Sequence, residues 1–290
     1  MSSAPLITIV LPVYNGSHYL SEALDAILAQ TYTNFEVVAV DDCSTDATPQ
    51  ILADYAVRDS RIRIVRNKVN LKLPASLNAG HWAGRGTIFT WTSDDNVPHQ
   101  NWLETLSSAL LNSGADIVCG PCAIIDEDGV STGLTSEPSP PSQLLWQNTV
   151  GASFLYTREV AEALRGYDTT LFLLEDYDFW VRAYLHGFKF IQINECVYDY
   201  RRHGGSLSGT LPQRAISLAY RAKIRKLFTS ASRNEIFKSR TTLLYNGFNS
   251  LPKMTLCMLF VEAFAANPGK LLSSIPTKAT QCVRHFCKLD

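Results

Sequence analysis

The stretch Ile88-Phe89-Thr90-Trp91-Thr92-Ser93-Asp94-Asp95-Asn96 joins a short apolar run to two adjacent carboxylates. The β-branched and aromatic residues of 87–91 predict a strand, so the acidic pair falls at its carboxyl end. Adjacent carboxylates repel each other, and a hard divalent cation with oxygen ligands offsets that repulsion. Acidic turns also follow strands in proteins without metals. The remainder of the chain must therefore decide between the two interpretations.

Length and composition limit the possible classes of protein. A chain of 290 residues suits one sizeable domain with an appendage, or two domains. The 26 basic and 27 acidic residues give a net charge of -1, which excludes nucleic acid as a whole-chain partner. The first five residues contain no basic residue, and no uncharged apolar run reaches about 18 residues. We therefore predict a cytoplasmic protein with local nucleotide recognition.

The seven cysteines are odd in number and scattered, which argues against a disulfide framework. Cys119-Gly120-Pro121-Cys122 does spell a thioredoxin-type redox motif. Such a motif opens a helix, whereas this one runs into Ala123-Ile124-Ile125. We interpret both cysteines as residues of a buried strand and the turn after it.

Strand-like and helix-like patterns alternate through the first 120 residues. Apolar and β-branched runs predict strands at residues 6–13, 35–40, 62–65, 87–91 and 116–119. Helical periodicity predicts helices at residues 17–30, 75–83 and 101–111, and another that Ser44 or Thr45 caps and that runs through Tyr55. This rhythm predicts an α/β fold whose mostly parallel sheet has helices on both faces.

Three polar turns follow predicted strands. They are Tyr14-Asn15-Gly16, residues 41–46 and Ser93-Asp94-Asp95-Asn96. Because ligands of such sheets bind outside the carboxyl ends of the strands, we expect the three turns to converge on one crevice.

The second half is organised differently. A Pro-rich loop at residues 136–142 precedes a mixed segment, and from about residue 211 the pattern becomes helical. We predict a domain at residues 1–210, with halves 1–120 and 121–210, and a helical extension at 211–290. The extension leaves open acceptor binding, packing on the domain, homodimerisation or peripheral membrane contact through the apolar run 256–266.

Each candidate motif has a structural alternative. Asp41-Asp42 could accept from a base or a ribose, or the turn could only cap a helix through Ser44 or Asp46. Lys72 could face a diphosphate, or it could be a solvated surface charge, which is the commoner role of a lysine.

Two further motifs lie in the second half. Glu175-Asp176 opens an aromatic helix, where a carboxylate could act as general base or merely suit the helix dipole. The basic, Gly-rich stretch 200–208 predicts a mobile loop. His203 in that loop could bind a ligand or be structural.

Taken in order, these segments resemble family 2 glycosyltransferases of the GT-A fold. The resemblance covers roughly two-thirds of the chain, from about Leu6 to Ser208. Its parts include Ile9-Val10-Leu11-Pro12-Val13-Tyr14-Asn15-Gly16, Asp41-Asp42-Cys43-Ser44-Thr45-Asp46, Leu77-Asn78-Ala79-Gly80, Ala83-Gly84-Arg85-Gly86, Ser93-Asp94-Asp95-Asn96, Glu175-Asp176-Tyr177-Asp178-Phe179-Trp180-Val181-Arg182 and Tyr200-Arg201-Arg202-His203.

The resemblance implies roles for individual residues. Asp95 and His203 would bind the metal, and Asp176 would be the catalytic base that deprotonates the acceptor hydroxyl. The residues that would bind the nucleotide sugar are Pro12, Val13, Tyr14, Asn15, Asp41, Asp42, Lys72, Asp94 and Glu175. Within that set, one of Asp41 and Asp42 would read the base.

The resemblance also implies the reaction. It predicts an inverting transferase that uses Mn²⁺ or Mg²⁺ and moves a sugar from a UDP-linked donor to a saccharide or lipid-linked acceptor, in polysaccharide or surface-glycan synthesis. The alternatives are a nucleotidyltransferase, which would require a glycine-rich basic loop directly after the first strand, and a non-catalytic nucleotide-sugar-binding protein.

The sequence departs from the family's pattern at two positions. Cys43 replaces the usual glycine of the first acidic turn, so we expect this turn to avoid a positive φ there. Thr92-Ser93 precede the acidic pair where many members have another aspartate, which leaves the number of metal ligands open.

Overall fold

The computed structural model describes residues 4–135, 139, 141, 144 and 148–207. Its strands are β1 (Ile7–Val13), β2 (Phe35–Asp41), β3 (Ile62–Arg66), β4 (Ile88–Trp91), β5 (Val97–Pro98), β6 (Ile117–Gly120), β7 (Ala123–Ile125), β8 (Ser131–Leu134), β9 (Ser153–Thr157), β10 (Phe190–Gln192) and β11 (Tyr198–Arg201). Its helices are α1 (Leu20–Leu28), α2 (Thr48–Arg58), α3 (Leu73–Ala83), α4 (Trp102–Ser113), α5 (Arg158–Leu164) and α6 (Glu175–Leu185). Every element predicted in the first 120 residues is present.

A seven-stranded sheet forms the centre, in the order β10-β6-β9-β4-β1-β2-β3. The strands β1 to β4 are mutually parallel, and β1 aligns Ile7 with Phe35 of β2 and with Ile88 of β4. β9 lies antiparallel between β4 and β6. The prediction of a mostly parallel α/β sheet is confirmed, with one reversed strand near its middle.

The central strands are buried throughout. All seven residues of β1 and all seven of β2 are buried, which fits strands covered by helices on both faces. The α1 residues Leu20, Leu24 and Ile27 pack into the same core as Trp102 and Leu106 of α4. This core holds the carboxyl ends of β1, β2 and β4 in register.

A second sheet has the order β5-β11-β7-β8. Its strand β11 (Tyr198–Arg201) pairs antiparallel with β5 and parallel with β7. The prediction of a loop over residues 200–208 is therefore wrong at Tyr200 and Arg201, which the sheet fixes.

The cysteines Cys119 and Cys122 are buried free thiols, in β6 and in the turn after it. Burial raises the pKa of each thiol to about 12, so neither forms a thiolate at neutral pH. The interpretation of the pair as core residues is confirmed.

The predicted helical extension, residues 211–290, lies outside the described residues, and so does most of the Pro-rich loop. The domain boundary near residue 210 stays a prediction. Within the described ranges, no helix is long and apolar enough to cross a membrane.

Candidate active site

The turns after β1 and β2 are bonded to each other. The Asn15 amide N–H donates to Ser44 Oγ over 3.0 Å, and Asn15 Oδ1 accepts from the Thr45 N–H over 2.8 Å. The Ser17 N–H donates to Asp46 Oδ2 over 3.1 Å. These bonds keep Ser44 and Thr45 from capping α2, so that part of the helix-cap prediction is wrong.

The start of α2 depends on another residue. Asp46 Oδ1 accepts from the Thr48 N–H over 3.0 Å, ahead of a helix that begins without a side-chain cap at Ala47. Burial opposes ionisation of Asp46, but bonds from Thr48 and Ser17 outweigh it and lower its pKa to about 2. Asp46 is thus ionised, and its hydrogen bonds connect the first two turns.

The third turn meets the first at Gly16. A Cβ built on Gly16 would lie 1.5 Å from Asp94 Oδ2, so the Asp94 carboxyl group occupies the space that any other residue would need. The predicted convergence of the three turns is confirmed, and a side chain at Gly16 would have to displace the Asp94 carboxyl group.

The two aspartates at the end of β2, Asp41 and Asp42, accept hydrogen bonds from neighbouring parts of the chain. Asp41 accepts from the Ser44 N–H over 2.8 Å and forms an ion pair with Arg66 over 3.2 Å. Asp42 accepts over 2.8 Å from both the Asn67 side chain and the Leu71 N–H.

Asp42 also accepts from the Lys72 N–H over 2.9 Å. It therefore holds the whole 67–72 loop beside the crevice. Lys72 itself has an exposed side chain and a φ of 72° at the start of α3.

Cys43, between Asp42 and Ser44, has a φ of 67°. The expectation that this turn avoids a positive φ is therefore wrong. The turn keeps the left-handed backbone that glycine would adopt without strain, and the Cys43 thiol lies 3.6 Å from the Lys68 carbonyl oxygen. Here the surrounding hydrogen bonds override the preference of the residue.

At the β1 end of the crevice, Pro12 and Val13 are buried within the strand, and Val13 belongs to the core. Tyr14, which the resemblance also assigns to nucleotide-sugar binding, is exposed, with 51% of its surface accessible.

The acidic pair after β4 is electrostatically strained. Burial, followed by the charge of Asp95, raises the pKa of Asp94 to about 7. Burial also raises the pKa of Asp95, although its contact with His203 opposes the shift. Two carboxyl groups that resist ionisation side by side are suited to a cation.

His203 is the partner of Asp95. Its Nε2 lies 3.1 Å from Asp95 Oδ2, and its Nδ1 accepts from the Gly205 N–H over 3.2 Å. In the neutral ring, Nε2 therefore carries the proton and donates it to Asp95. Two ligands about 2.1 Å from one ion and at right angles lie about 3.0 Å apart, which matches the spacing of these two atoms. To bind a cation, Nε2 must be the unprotonated nitrogen, so the proton would move to Nδ1 and the contact with the Gly205 N–H would be lost.

The described residues include no group of three or more metal-ligating side chains. A cation held by Asp95 and His203 would need further oxygen ligands from phosphates and water, as Mg²⁺ commonly has in proteins. The absence of an aspartate at Thr92 agrees with this small set of ligands. Thr92 is buried, and its Oγ1 lies 2.5 Å from the Tyr198 hydroxyl oxygen.

Arg201 holds part of the candidate site in place, although the sequence alone does not distinguish it from its neighbour Arg202. It is 2% exposed and donates to the Asp95 carbonyl oxygen over 2.9 Å and to Glu22 over 2.7 Å. Its guanidinium also bonds the carbonyl groups of Asp126 and Glu127, and it stacks on the Tyr19 ring. Arg201 thus fixes the backbone that presents Asp95.

Asp176 lies in the first turn of α6. Its Oδ1 accepts from the Tyr177 N–H over 2.6 Å, and its Oδ2 accepts from Asn148 over 2.8 Å. Burial raises the pKa of Asp176, and burial together with the Asp176 charge raises that of its neighbour Glu175. A raised pKa favours proton transfer near neutral pH.

Strand direction places Asp176 at the edge of the sheet where the acidic pair lies. β9 runs antiparallel to β4 and β6, so its first residue, Ser153, lies where those strands end. Asn148, which contacts Asp176, is only five residues before Ser153. Ligands of open α/β sheets bind outside the carboxyl ends of the strands, so this edge is the candidate active site.

Comparisons with known proteins identify the class of enzyme to which the chain belongs. The family model for glycosyl transferase family 2 matches residues 8–188, more than half of the chain. EpsE of Bacillus subtilis (strain 168) is 30% identical over 207 residues, which cover 69% of this chain and 74% of EpsE. The chain belongs to glycosyl transferase family 2 and is a glycosyltransferase.

Solved structures agree on the fold. S. aureus TarS (residues 1–349, in complex with UDP-GlcNAc) has a TM-score of 0.62 at 17% identity, covering 89% of this chain and 72% of that chain. The mannosyltransferase PcManGT from Pyrobaculum calidifontis, in complex with GDP-Man and Mn²⁺, has a TM-score of 0.57 at 18% identity, covering 99% and 81%. These neighbours establish the GT-A fold.

Proposed function

We propose that this enzyme is an inverting, metal-dependent hexosyltransferase. It moves a sugar from a UDP-linked donor to a hydroxyl group of a saccharide or lipid-linked acceptor. The observation that carries the proposal is the pairing of Asp95 with His203 over 3.1 Å, at the edge of the sheet where Asp176 also lies. The ligands of the neighbours, UDP-GlcNAc in one and GDP-Man with Mn²⁺ in another, support a nucleotide-sugar donor and a divalent ion.

The crevice residues would bind and orient the donor. Tyr14, which is exposed at the end of β1, would contact the base, and Asp42 shapes the 67–72 loop. Asp95 and His203 would hold the cation at the diphosphate, and Lys72 would add positive charge. When bound, Mn²⁺ or Mg²⁺ supplies Lewis-acid stabilisation of the departing diphosphate.

Asp176 would take the proton of the acceptor hydroxyl as the acceptor oxygen forms a bond to the anomeric carbon. The bond from that carbon to the diphosphate oxygen breaks on the opposite face. One displacement inverts the anomeric centre, so no enzyme nucleophile is needed. Glu175, buried beside Asp176, would contribute to nucleotide-sugar binding, as the resemblance implies.

The acceptor class and a role in surface-glycan synthesis follow from the resemblance and form part of the proposal. A cytoplasmic location and peripheral membrane contact, predicted from the sequence pattern and from the apolar run 256–266, are also part of it. A nucleotidyltransferase is less well supported, because the turn Tyr14-Asn15-Gly16 contains no basic residue.

The test combines a donor screen with one variant. Purified protein is incubated with UDP- and GDP-sugars, Mn²⁺ and saccharide acceptors, and the anomeric configuration of the product is read by NMR. We expect inversion. Asp176→Asn should lower kcat by about 10²–10⁴-fold and leave UDP binding in calorimetry unchanged. Retention of configuration, or near-normal transfer by the variant, would reject the mechanism.

A further inference from the structure

Asn148 makes a hydrogen bond that its position does not otherwise explain. Its side chain is exposed, outside any strand or helix, and its Nδ2 donates to Asp176 Oδ2 over 2.8 Å. An exposed amide gains little from packing, so the contact with the carboxylate is its distinctive feature.

The orientation of this amide is determined by its own backbone. Asn148 Oδ1 accepts from the Val150 N–H over 3.2 Å. Because the oxygen faces a donor, the NH₂ group is the end that faces Asp176. The side chain is therefore set as a donor before any substrate arrives.

The residues that follow Asn148 are anchored. Gln192 of β10 donates from Nε2 to the Thr149 carbonyl oxygen over 3.2 Å, and its Oε1 accepts from the Ser139 N–H. Val150 is buried, and β9 begins at Ser153. Asn148 thus projects from a short anchored stretch.

The hydrogen bond completes the fixing of the Asp176 carboxylate. Tyr177 N–H binds one oxygen and Asn148 binds the other, so rotation of the carboxylate would break at least one bond. A carboxylate has about four lone-pair sites, which leaves two for a substrate hydroxyl.

The same bond affects the charge of Asp176. Donation from Asn148 favours the ionised form and lowers the pKa that burial raises. The titratable neighbours Glu175 and Tyr167 both have pKa values raised in part by the Asp176 charge. Asn148 is a neutral donor that works against this acidic and phenolic environment.

We propose that Asn148 is a positioning residue for glycosyl transfer, which holds the Asp176 carboxylate ionised and aimed at the acceptor hydroxyl. The inference rests on the proposed role of Asp176 as the base. It goes beyond that role because it assigns the alignment of the base to the segment before β9.

The test measures pH profiles of transfer for the full-length protein. Asn148→Ala should lower kcat by about 10–100-fold at neutral pH, since hydrogen bonds to charged groups are strong. The KM for the donor should stay unchanged, and the acidic limb of the kcat profile should move to higher pH. Asn148→Asp, which has the same shape but adds a like charge, should move that limb further.

Asn101→Ala is the matched control, because Asn101 Nδ2 bonds the Glu195 carboxylate over 2.9 Å and neither residue belongs to the three turns of the crevice. We expect wild-type kinetics for it. Wild-type kcat and pH limb in Asn148→Ala would overturn the inference, as would a loss of rate with no shift of the limb.

Asp176→Asn separates the two proposals. If that variant transfers sugar normally, the base is elsewhere and the proposed mechanism fails. If it is inactive while Asn148→Ala behaves like wild type, only the positioning role fails. When both hold, adding Asn148→Ala to Asp176→Asn should cause no further loss.

Discussion

The turns after β2 and β4 each present two adjacent aspartates at the end of a parallel strand, but the protein surrounds the two pairs differently. Asp41 and Asp42 are 1% and 4% exposed and accept hydrogen bonds from backbone and side-chain donors. Among the described residues, the Asp95 carboxylate bonds to one side chain, that of His203, and burial raises the pKa of both Asp94 and Asp95. Asp41 Oδ2 has its ion pair with Arg66 but no hydrogen-bond partner among the described residues. The same local signal thus produces a largely satisfied pair and a strained pair.

The difference teaches where an external ligand can add binding energy. Three of the roughly four acceptor sites of Asp42 are already used by the 67–72 loop, so at most one remains for a base. The pair after β4 keeps free acceptor capacity and unrelieved repulsion. We infer that the first pair mainly positions the 67–72 loop on the nucleotide side of the crevice and that the second pair binds the cation.

The largest expected effect is on the strained pair. Asp95→Asn should lower kcat/KM by about 100-fold or more, because a cation ligand contributes at least as much as the groups that orient it. Transfer assays across Mn²⁺ concentrations would measure it. Asp128→Asn, an exposed change in the β7–β8 turn, is the control and should be neutral. Full activity of Asp95→Asn would show that the pair after β4 does not bind a catalytic cation, and so does not differ from the pair after β2 in this function.

The satisfied pair should affect stability instead. Asp42→Asn places amide hydrogens against the donors of Asn67, Leu71 and Lys72, and should lower the free energy of unfolding by about 2–3 kcal/mol. Urea denaturation would measure the change. The exposed Asp54→Asn should stay within about 0.5 kcal/mol of wild type. Equal stability of the two variants would show that the loop does not depend on Asp42.

Asp94 should show the opposite sign. Its folded pKa of about 7 exceeds its unfolded value of about 3.9, so its contribution to stability is present below pH 4 and is lost as the pH rises through 7. In EDTA at pH 8, Asp94→Asn should therefore raise Tm by roughly 3 °C, and at pH 4 the two proteins should match. A lower Tm at pH 8 would mean that the carboxylate is not strained.

The smallest effect is expected at Cys43, which has a φ of 67° beside the satisfied pair. Cys43→Gly removes left-handed strain of about 1–2 kcal/mol but adds chain entropy to the unfolded state, for a net gain of about 0.5 kcal/mol. Cys43→Ala keeps the strain and removes only the thiol, so it is the matched control in the same denaturation experiment. A gain in the alanine variant as large as that of glycine would contradict the strain argument.

Much of this arrangement could be predicted from the sequence, because strands and their polar ends have local patterns. The convergence of Asn15, Asp46 and Asp94 follows from strand direction alone. The partners of each carboxylate do not, since the Asp42 bonds span about 30 residues and the Arg201–Glu22 pair spans 179. The antiparallel direction of β9 has no local signal in the sequence either, because it depends on pairing with β4 and β6, which come earlier in the chain.

The most direct measurement is calorimetric titration of UDP, with and without Mn²⁺, into the wild type, Asp95→Ala and Asp42→Asn. Mn²⁺ should strengthen UDP binding in the wild type and in folded Asp42→Asn, and should have no effect on Asp95→Ala. A full Mn²⁺ effect in Asp95→Ala, or its loss in Asp42→Asn alone, would contradict the assignment of the cation to the pair after β4.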